Sequence, residues 1–149
     1  MKIVFLDFDG VLNSEKYLRA SDLTGVAINK EKLLLLKRVI DETGAKIVLT
    51  TSWRSHWDKE VCDETGIIIN KLFFSVGLEI FDKTPEPSLR REEEIKAWLN
   101  SHSDIENFVV LDDMMLGGKF LENHFVKTCA YRDGLSEEDA KNAIKILKG

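Results

Sequence analysis

Residues 2–11 of the chain read KIVFLDFDGV, an apolar run that ends in two aspartates and a glycine. The segment Lys2–Asp7 is short and apolar, which is typical of a parallel strand buried on both faces. Asp7 ends this predicted strand, where an unpaired carboxylate would be costly, and Asp9 follows two residues later. Gly10 then allows a tight turn. The stretch therefore predicts a buried strand with two carboxylates directly after it.

Two carboxylates this close in sequence favour a cation between them. Unit charges ~4 Å apart interact by roughly 4 kcal/mol at an effective dielectric constant near 20. A hard divalent ion with oxygen ligands removes that repulsion, so we expect Asp7 and Asp9 to lie at a metal site. The alternative is an aspartate-rich turn whose carboxylates only cap backbone amides.

Strand and helix patterns alternate along the rest of the chain, which predicts a parallel sheet covered by helices on both faces. Ligands of such sheets bind beyond the carboxyl ends of the strands, so residues just after each strand are the candidates for chemistry. The further strands are predicted at Lys46–Thr51, Ile67–Asn70, Asn107–Leu111 and His124–Cys129, and the helices at Asn29–Thr43, Trp53–Thr65, Ser88 to Asn100, and from Ser136 onward.

Three more polar clusters fall at these element ends. The hydroxyls of Thr50–Ser52 follow the second strand, where they can donate to phosphate oxygens or cap the next helix. Arg90-Arg91 lies near the start of the Ser88 helix, either as an anion-binding cation or as a solvated pair. Asp112-Asp113 follows the apolar strand at Asn107–Leu111, and metal binding or capping of the next turn would explain it.

Composition limits the class of protein. The 149 residues suit one domain, and a net charge of −5 argues against a general basic face for nucleic acid, although a local basic pocket is compatible with it. We expect a cytoplasmic protein, because the sequence shows neither a membrane-length apolar run nor a signal peptide. Cys62 and Cys129 lack metal-ligand spacing and are predicted to be buried free thiols.

Along the chain, an acid pair is followed by a hydroxyl, a cation and a second acid pair. This order resembles the motifs of the haloacid dehalogenase (HAD)-like phosphohydrolase superfamily over nearly the whole chain. The first motif is similar to Asp7–Val11, the second to a strand ending at Thr51, and the fourth to Asp112-Asp113. The implied fold is a three-layer, Rossmann-like α/β domain without a full cap. Shorter stretches resemble the HAD domain of Swiss-army-knife RNA repair proteins: Leu6–Asn13, Thr51–Arg54, Arg91–Leu99 and Leu111–Asp113.

The resemblance implies a Mg²⁺-dependent phosphatase with a covalent intermediate. Asp7 would attack phosphorus and form an aspartyl phosphate. Asp9 would protonate the leaving oxygen and then take a proton from water. The Mg²⁺ ligands would be Asp7, the backbone carbonyl of Asp9 and Asp113, with Asp112 as the second candidate.

The resemblance also implies groups that hold the phosphate. Thr51 and the Ser52 amide would bind its oxygens, although Thr50 is open as an alternative. Arg91 would offset the charge of the nucleophile and the phosphoryl group, where the superfamily usually has lysine, and Arg90 is the competing candidate.

Substrate class is less restricted by the sequence. No full lid fits between the motifs, although Asn13–Ile28 could form a flap. Capless members often act on large substrates such as nucleic-acid ends or phosphoproteins. We expect a phosphorylated substrate, either a small molecule or a nucleic-acid end, with no membrane and no stable protein partner. The residues from Trp53 to Trp57 could stack on a base or pack a helix onto the sheet. A receiver-type signalling domain and a non-catalytic module that binds Mg²⁺ and phosphate are the alternative classes.

Overall fold

The computed structural model describes residues 1–20, 26–85 and 90–149. Strands and helices alternate along the chain, as the sequence predicts. Two short 3₁₀ turns, at Ser52–His56 and Lys119–Leu121, lie after β2 and β4. The strands are β1 (Lys2–Leu6), β2 (Lys46–Leu49), β3 (Ile80–Lys83), β4 (Asn107–Asp112) and β5 (Phe125–Lys127), and the helices are α1 (Glu15–Ala20), α2 (Lys30–Thr43), α3 (Glu64–Phe74), α4 (Arg91–Asn100) and α5 (Glu137–Lys148).

The five strands form one sheet in the order β3-β2-β1-β4-β5, and every neighbouring pair is parallel. The strand that carries the two aspartates is thus the central one. Parallel neighbours place the carboxyl ends of all strands at one edge, where ligands of such folds bind. The predicted α/β class, with a Rossmann-like parallel sheet between helical layers, is confirmed.

Alternate residues of β1 face opposite helical layers, as the period of a strand requires. Val4 and Leu6 belong to the larger buried cluster, which includes the apolar faces of α2 and α5. Ile3 and Phe5 belong to the second cluster, which includes the buried residues of α4. The same alternation directs the next odd-numbered residue, Asp7, toward the layer of α4.

The third strand is the main error of the sequence prediction. Ile67–Asn70 lies inside α3, whose first turn is capped by Asp63 through a hydrogen bond from the Gly66 N–H (2.9 Å). Periodicity alone cannot separate a short apolar run in a strand from one in a helix. Here Ile69 and Phe73, four residues apart, are buried while the neighbouring isoleucines are exposed, which is a helical pattern. The third strand is instead β3.

The helix predicted at Trp53–Thr65 is also wrong, because only Ser52–His56 form a 3₁₀ turn and the chain then leaves helical geometry. Trp57 is extended (φ −108°, ψ 139°) and ends the turn. The helix predicted from Asn29 to Thr43 is confirmed as α2, with Asn29 as its cap. The predicted cap Ser88 lies outside the described residues, and α4 begins at Arg91.

Three smaller expectations concern the flap, the thiols and the membrane. Within the predicted flap, α1 is described, and residues 21–25 lie outside the described part. Both cysteines are free, but Cys129 is exposed and Cys62 is half-buried, because both lie in loops rather than under the sheet.

Among the described helices, none combines the length and the apolar character that crossing a membrane requires.

Candidate active site

The candidate site lies where β1, β2 and β4 end. The parallel register aligns Leu6 of β1 with Leu49 of β2 and with Leu111 of β4. Backbone hydrogen bonds extend this alignment by one residue, because the Asp7 N–H donates to the Leu111 carbonyl (3.1 Å). The residues brought together at this edge are Asp7, Thr50 and Asp112.

Three carboxylates meet at this edge. Asp7, Asp112 and Asp113 each offer an oxygen that lies within 4.8 Å of the oxygens of the other two. Asp7 and Asp112 are buried (5% and 0% exposed), and Asp113 is half-buried. Three hard oxygen donors at this spacing are the ligand set that Mg²⁺ prefers, so they could hold such an ion.

Gly10 allows the loop after β1 to lie directly on Asp113. Its backbone has a φ of +85°, and a Cβ built there would be 2.5 Å from Cγ of Asp113. Its N–H donates to Oδ1 of Asn13 (3.0 Å), and its carbonyl accepts from the Thr128 hydroxyl (2.6 Å). The glycine is therefore required both for its left-handed conformation and for the close approach of the two aspartate-bearing loops.

Arg91 is the cation of the cluster. Its Nη1 is 3.0 Å from Oδ2 of Asp7 and 2.8 Å from Oδ2 of Asp112. The neighbouring Arg90 is exposed and occupies the cap position before α4. Of the two arginines left open by the sequence, the structure brings Arg91 to the acid cluster.

One guanidinium does not fully compensate three carboxylates. Burial is the largest cause that raises the pKa of Asp7 from 3.8 to about 7, the Arg91 guanidinium opposes it, and the carboxylates of Asp112 and Asp113 add to it. Burial, followed by the charge of Asp112, also raises the pKa of Asp113. The site therefore binds protons more tightly than free aspartates do, and a divalent cation would relieve the same repulsion.

Asp9 has a different environment from Asp7. It is exposed, and its side chain lies outside the group of three clustered carboxylates. Oδ1 accepts a hydrogen bond from Nδ2 of Asn13 (3.1 Å), and Oδ2 accepts one from Nε1 of Trp53 (3.1 Å). Both oxygens of this carboxylate are thus oriented at the surface of the site. That its backbone carbonyl binds a metal stays a prediction.

The three residues with hydroxyl groups after β2 differ in burial and in hydrogen bonding. The Thr51 hydroxyl is buried and accepts from the Trp53 N–H (3.3 Å), which caps the 3₁₀ turn. Ser52 is exposed. Thr50 is fully buried, and its Oγ1 is the buried side-chain oxygen that lacks a hydrogen-bond partner among the described residues. Thr50 and Thr51 follow β2, the strand that pairs with β1, and Asp7 of the acid cluster follows β1 at the same edge. Both threonines therefore stay candidates for phosphate binding.

Sequence reasoning assigned no site role to Asn13, and it gave Trp53 and Arg54 only a stacking or packing role. The link between Trp53 and Asp9 spans 44 positions, which no local pattern reveals. Arg54 is only 5% exposed and donates to the backbone carbonyls of Thr84, which follows β3, and Thr50, which follows β2. The sequence signal for Arg54 is a cation shortly after the end of a strand. By contrast, Trp57 packs into the core and donates to Asn70 (2.9 Å), which is the structural role considered for it.

The sequence matches the family model described as the HAD domain in Swiss Army Knife RNA repair proteins over residues 3–140. This match includes every candidate site residue described above. No curated protein and no solved structure matches the chain.

Proposed function

The chain belongs to the family of HAD domains in Swiss Army Knife RNA repair proteins, and from this premise we propose that it is a Mg²⁺-dependent phosphatase acting on phosphate monoesters. The observation that carries the proposal is the cluster of three carboxylates within 4.8 Å, with Arg91 contacting two of them. In this proposal residues 1–149 act as one catalytic domain.

The donor set fits Mg²⁺, which favours carboxylate oxygens over nitrogen or sulfur ligands. Asp7, Asp113 and the backbone carbonyl of Asp9 would hold the ion, with Asp112 as a further ligand. When bound, the ion supplies positive charge that offsets the repulsion between the nucleophile and the phosphate. A phosphate dianion ~4 Å from one carboxylate is otherwise repelled by roughly 8 kcal/mol, twice the value for a single pair of charges.

In the first step, a carboxylate oxygen of Asp7 attacks phosphorus in line with the ester oxygen. The new bond joins Asp7 to phosphorus, and the bond between phosphorus and the ester oxygen breaks. Protonated Asp9 gives its proton to the departing oxygen, which leaves as an alcohol. Because Asp9 is exposed at the site surface, its carboxyl can reach the leaving group while Asp7 stays buried.

In the second step, Asp9 takes a proton from water, and the oxygen of that water attacks phosphorus of the aspartyl phosphate. The bond between Asp7 and phosphorus breaks, which releases orthophosphate and restores the carboxylate. In both steps Arg91 stabilises negative charge on the transferring group, and Thr51 with the Ser52 amide holds its oxygens. Arg91 approaches Asp7 within 3.0 Å, which supports this role.

The proposed substrate is a phosphorylated small molecule or the phosphorylated end of a nucleic acid. Membership in a family named for RNA repair proteins supports the second class. The net charge of −5 requires that any nucleic acid bind through a local basic or stacking surface rather than a general basic face.

The test is release of orthophosphate from a panel of substrates with Mg²⁺ or with EDTA. The panel comprises nucleotides, sugar phosphates, phosphopeptides and oligonucleotides phosphorylated at the 3′ or 5′ end. We expect Mg²⁺-dependent turnover, and a loss of about a thousandfold or more in Asp7→Asn. Asp104→Asn, which changes an exposed aspartate beside the amino end of β1, is the control that should retain activity. Near-normal turnover by Asp7→Asn would exclude this nucleophile.

A further inference from the structure

Arg54 is a buried cation that lies outside the three-carboxylate cluster, on the 3₁₀ turn after β2. The residue is 5% exposed, and its guanidinium has five N–H groups, all in one plane. Each of them has an acceptor available: the carbonyls of Thr50 (2.9 Å), Thr51 (3.0 Å), Thr84 (3.2 Å) and Pro85 (3.2 Å), and the carboxylate of Glu94.

These acceptors lie on three separate elements. Thr50 and Thr51 form the loop after β2, Thr84 and Pro85 follow β3, and Glu94 lies in the first turn of α4. Glu94 is itself buried (5% exposed) and follows Arg91 by three residues, which places the two about one helical turn apart. Arg54 therefore connects the hydroxyl-bearing loop to the helix that carries Arg91.

We infer that Arg54 is a positioning residue that fixes the phosphate-binding loop after β2 against the start of α4. This inference rests on the proposed function. Its consequence is that Thr51 and the Ser52 amide keep a fixed position relative to Arg91, as joint binding of one phosphoryl group would require. Carbonyl groups that accept from Arg54 are turned toward it, which directs the following N–H groups of the loop away from it.

The geometry requires arginine rather than any cation. Lysine has three donors on one nitrogen and cannot reach five acceptors spread over three elements. Arg54→Lys should therefore keep the charge and lose the arrangement. The metal ligands should be affected little, because Asp7, Asp112 and Asp113 lie after β1 and at the end of β4, to which Arg54 makes no described hydrogen bond.

The experiment compares wild type, Arg54→Lys and a stability control. Leu147→Ala is the control, because Leu147 is buried in α5 and contributes to the large apolar cluster away from α4. Circular dichroism and thermal unfolding establish that each variant is folded at the assay temperature. The readouts are kcat and KM for p-nitrophenyl phosphate, the dissociation constant of orthophosphate in the presence of Mg²⁺, and the Mg²⁺ concentration for half-maximal stabilisation.

We expect Arg54→Lys to lower kcat at least tenfold and to weaken orthophosphate binding at least fivefold, with a less than threefold change in the Mg²⁺ midpoint. Leu147→Ala should match wild type in all three readouts. An Arg54→Lys variant that behaves like the control overturns the inference, and so does one in which Mg²⁺ binding weakens as much as phosphate binding. Glu94→Gln is the second variant if Arg54→Lys does not fold, and kcat and phosphate binding both within twofold of wild type then overturn it.

The same measurements distinguish a failure of the proposed phosphatase function from a failure of the inference about Arg54. A wild-type protein that binds orthophosphate but releases none from any ester contradicts the phosphatase proposal, while the phosphate affinities of wild type and Arg54→Lys still test the positioning role. A wild-type protein that binds no orthophosphate contradicts both.

Discussion

Two aspartates separated by one phenylalanine have opposite environments in this protein. Asp7 is buried beside two other carboxylates and a guanidinium, and burial raises its pKa to about 7. Asp9 is exposed, and its oxygens accept hydrogen bonds from a side-chain amide and an indole. The difference follows from the end of β1, because the turn closed by the hydrogen bond from the Val11 N–H to the Phe8 carbonyl (3.0 Å) carries Asp9 out of the buried layer. One short motif thus places one carboxylate in a buried site and another at its surface, as the proposed nucleophile and the proposed acid would require.

Trp53→Phe tests whether orientation of Asp9 assists departure of the leaving group. The substitution removes the indole N–H that Asp9 accepts at 3.1 Å. We expect kcat/KM for an alkyl phosphate to fall about tenfold, because the indole N–H stabilises the charge that Asp9 gains as it gives up its proton, and a hydrogen bond to a charged group contributes about 1.5–3 kcal/mol. For p-nitrophenyl phosphate the fall should be smaller than about threefold, because this leaving group departs without a proton.

Trp57→Phe is the matched control for this measurement, since Trp57 donates to Asn70 and not to Asp9. It should change kcat/KM equally for both substrates. The use of kcat/KM confines the comparison to the step that forms the aspartyl phosphate. Equal losses for the alkyl and aryl substrates in Trp53→Phe would contradict a role of this hydrogen bond in proton transfer.

At the scale of elements, the site depends on three strand ends and one helix start. Parallel pairing brings the first and fourth motifs to the same edge because β1 and β4 are direct neighbours. Helix α4 then covers that edge and places Arg91 against both Asp7 and Asp112. No element supplies the complete site, so its geometry is sensitive to how closely the loops approach one another.

Gly10→Ala tests the close approach of the loops after β1 and β4. The new Cβ would lie 2.5 Å from Cγ of Asp113, in addition to the strain at a φ of +85°. We expect activity to fall at least about a hundredfold, because displacement of reacting groups by 1 Å can have this effect. The free energy of unfolding should fall by about 2–4 kcal/mol, from strain plus the steric conflict.

Gly44→Ala is the control for backbone strain alone. Gly44 caps α2 with a φ of +73°, and a Cβ there meets nothing within 4 Å. Its unfolding free energy should fall by about 1 kcal/mol while activity is retained. Urea unfolding and steady-state kinetics measure both quantities, and an active Gly10→Ala enzyme would show that Asp113 can move without consequence.

At the scale of the whole molecule, the acid cluster makes folding depend on pH when no divalent metal is bound. The folded pKa of Asp7 is about 7, above its ordinary value of 3.8, so the folded state holds this proton more tightly than the unfolded state. The resulting stability is fully present below pH 3.8 and is lost as the pH rises through 7. Between these values each pH unit removes about 1.4 kcal/mol at most.

We therefore expect wild type in EDTA to lose about 2.6 kcal/mol of unfolding free energy between pH 5 and pH 8, relative to Asp7→Asn. The amide cannot ionise, so the variant lacks this dependence, and the titration of groups outside the acid cluster cancels in the difference. Urea unfolding at the two pH values measures it. Parallel pH profiles for the two proteins would contradict a raised pKa at Asp7.

The polar motifs at the strand ends are predictable from the sequence because each consists of neighbouring residues. An apolar run followed by carboxylates places Asp7, Asp112 and Asp113 at strand ends, and parallel pairing makes such ends converge. The same local pattern gives a wrong prediction at Ile67–Asn70, because four residues are too few to distinguish the periodicity of a strand from that of a helix. Burial of Ile69 and Phe73 on one face shows that the segment is helical.

The α/β class, the strands β1, β2 and β4, and the carboxylates that follow β1 and end β4 are predictable from the order of residues alone, since apolar runs and their polar ends are properties of neighbouring residues. Packing of the layers, by contrast, is what brings Arg91 rather than Arg90 to the acids, Trp53 to Asp9, and Arg54 between the loop after β2 and α4. These contacts join residues 21–84 positions apart in the chain, and the layer packing that brings them together leaves no local pattern.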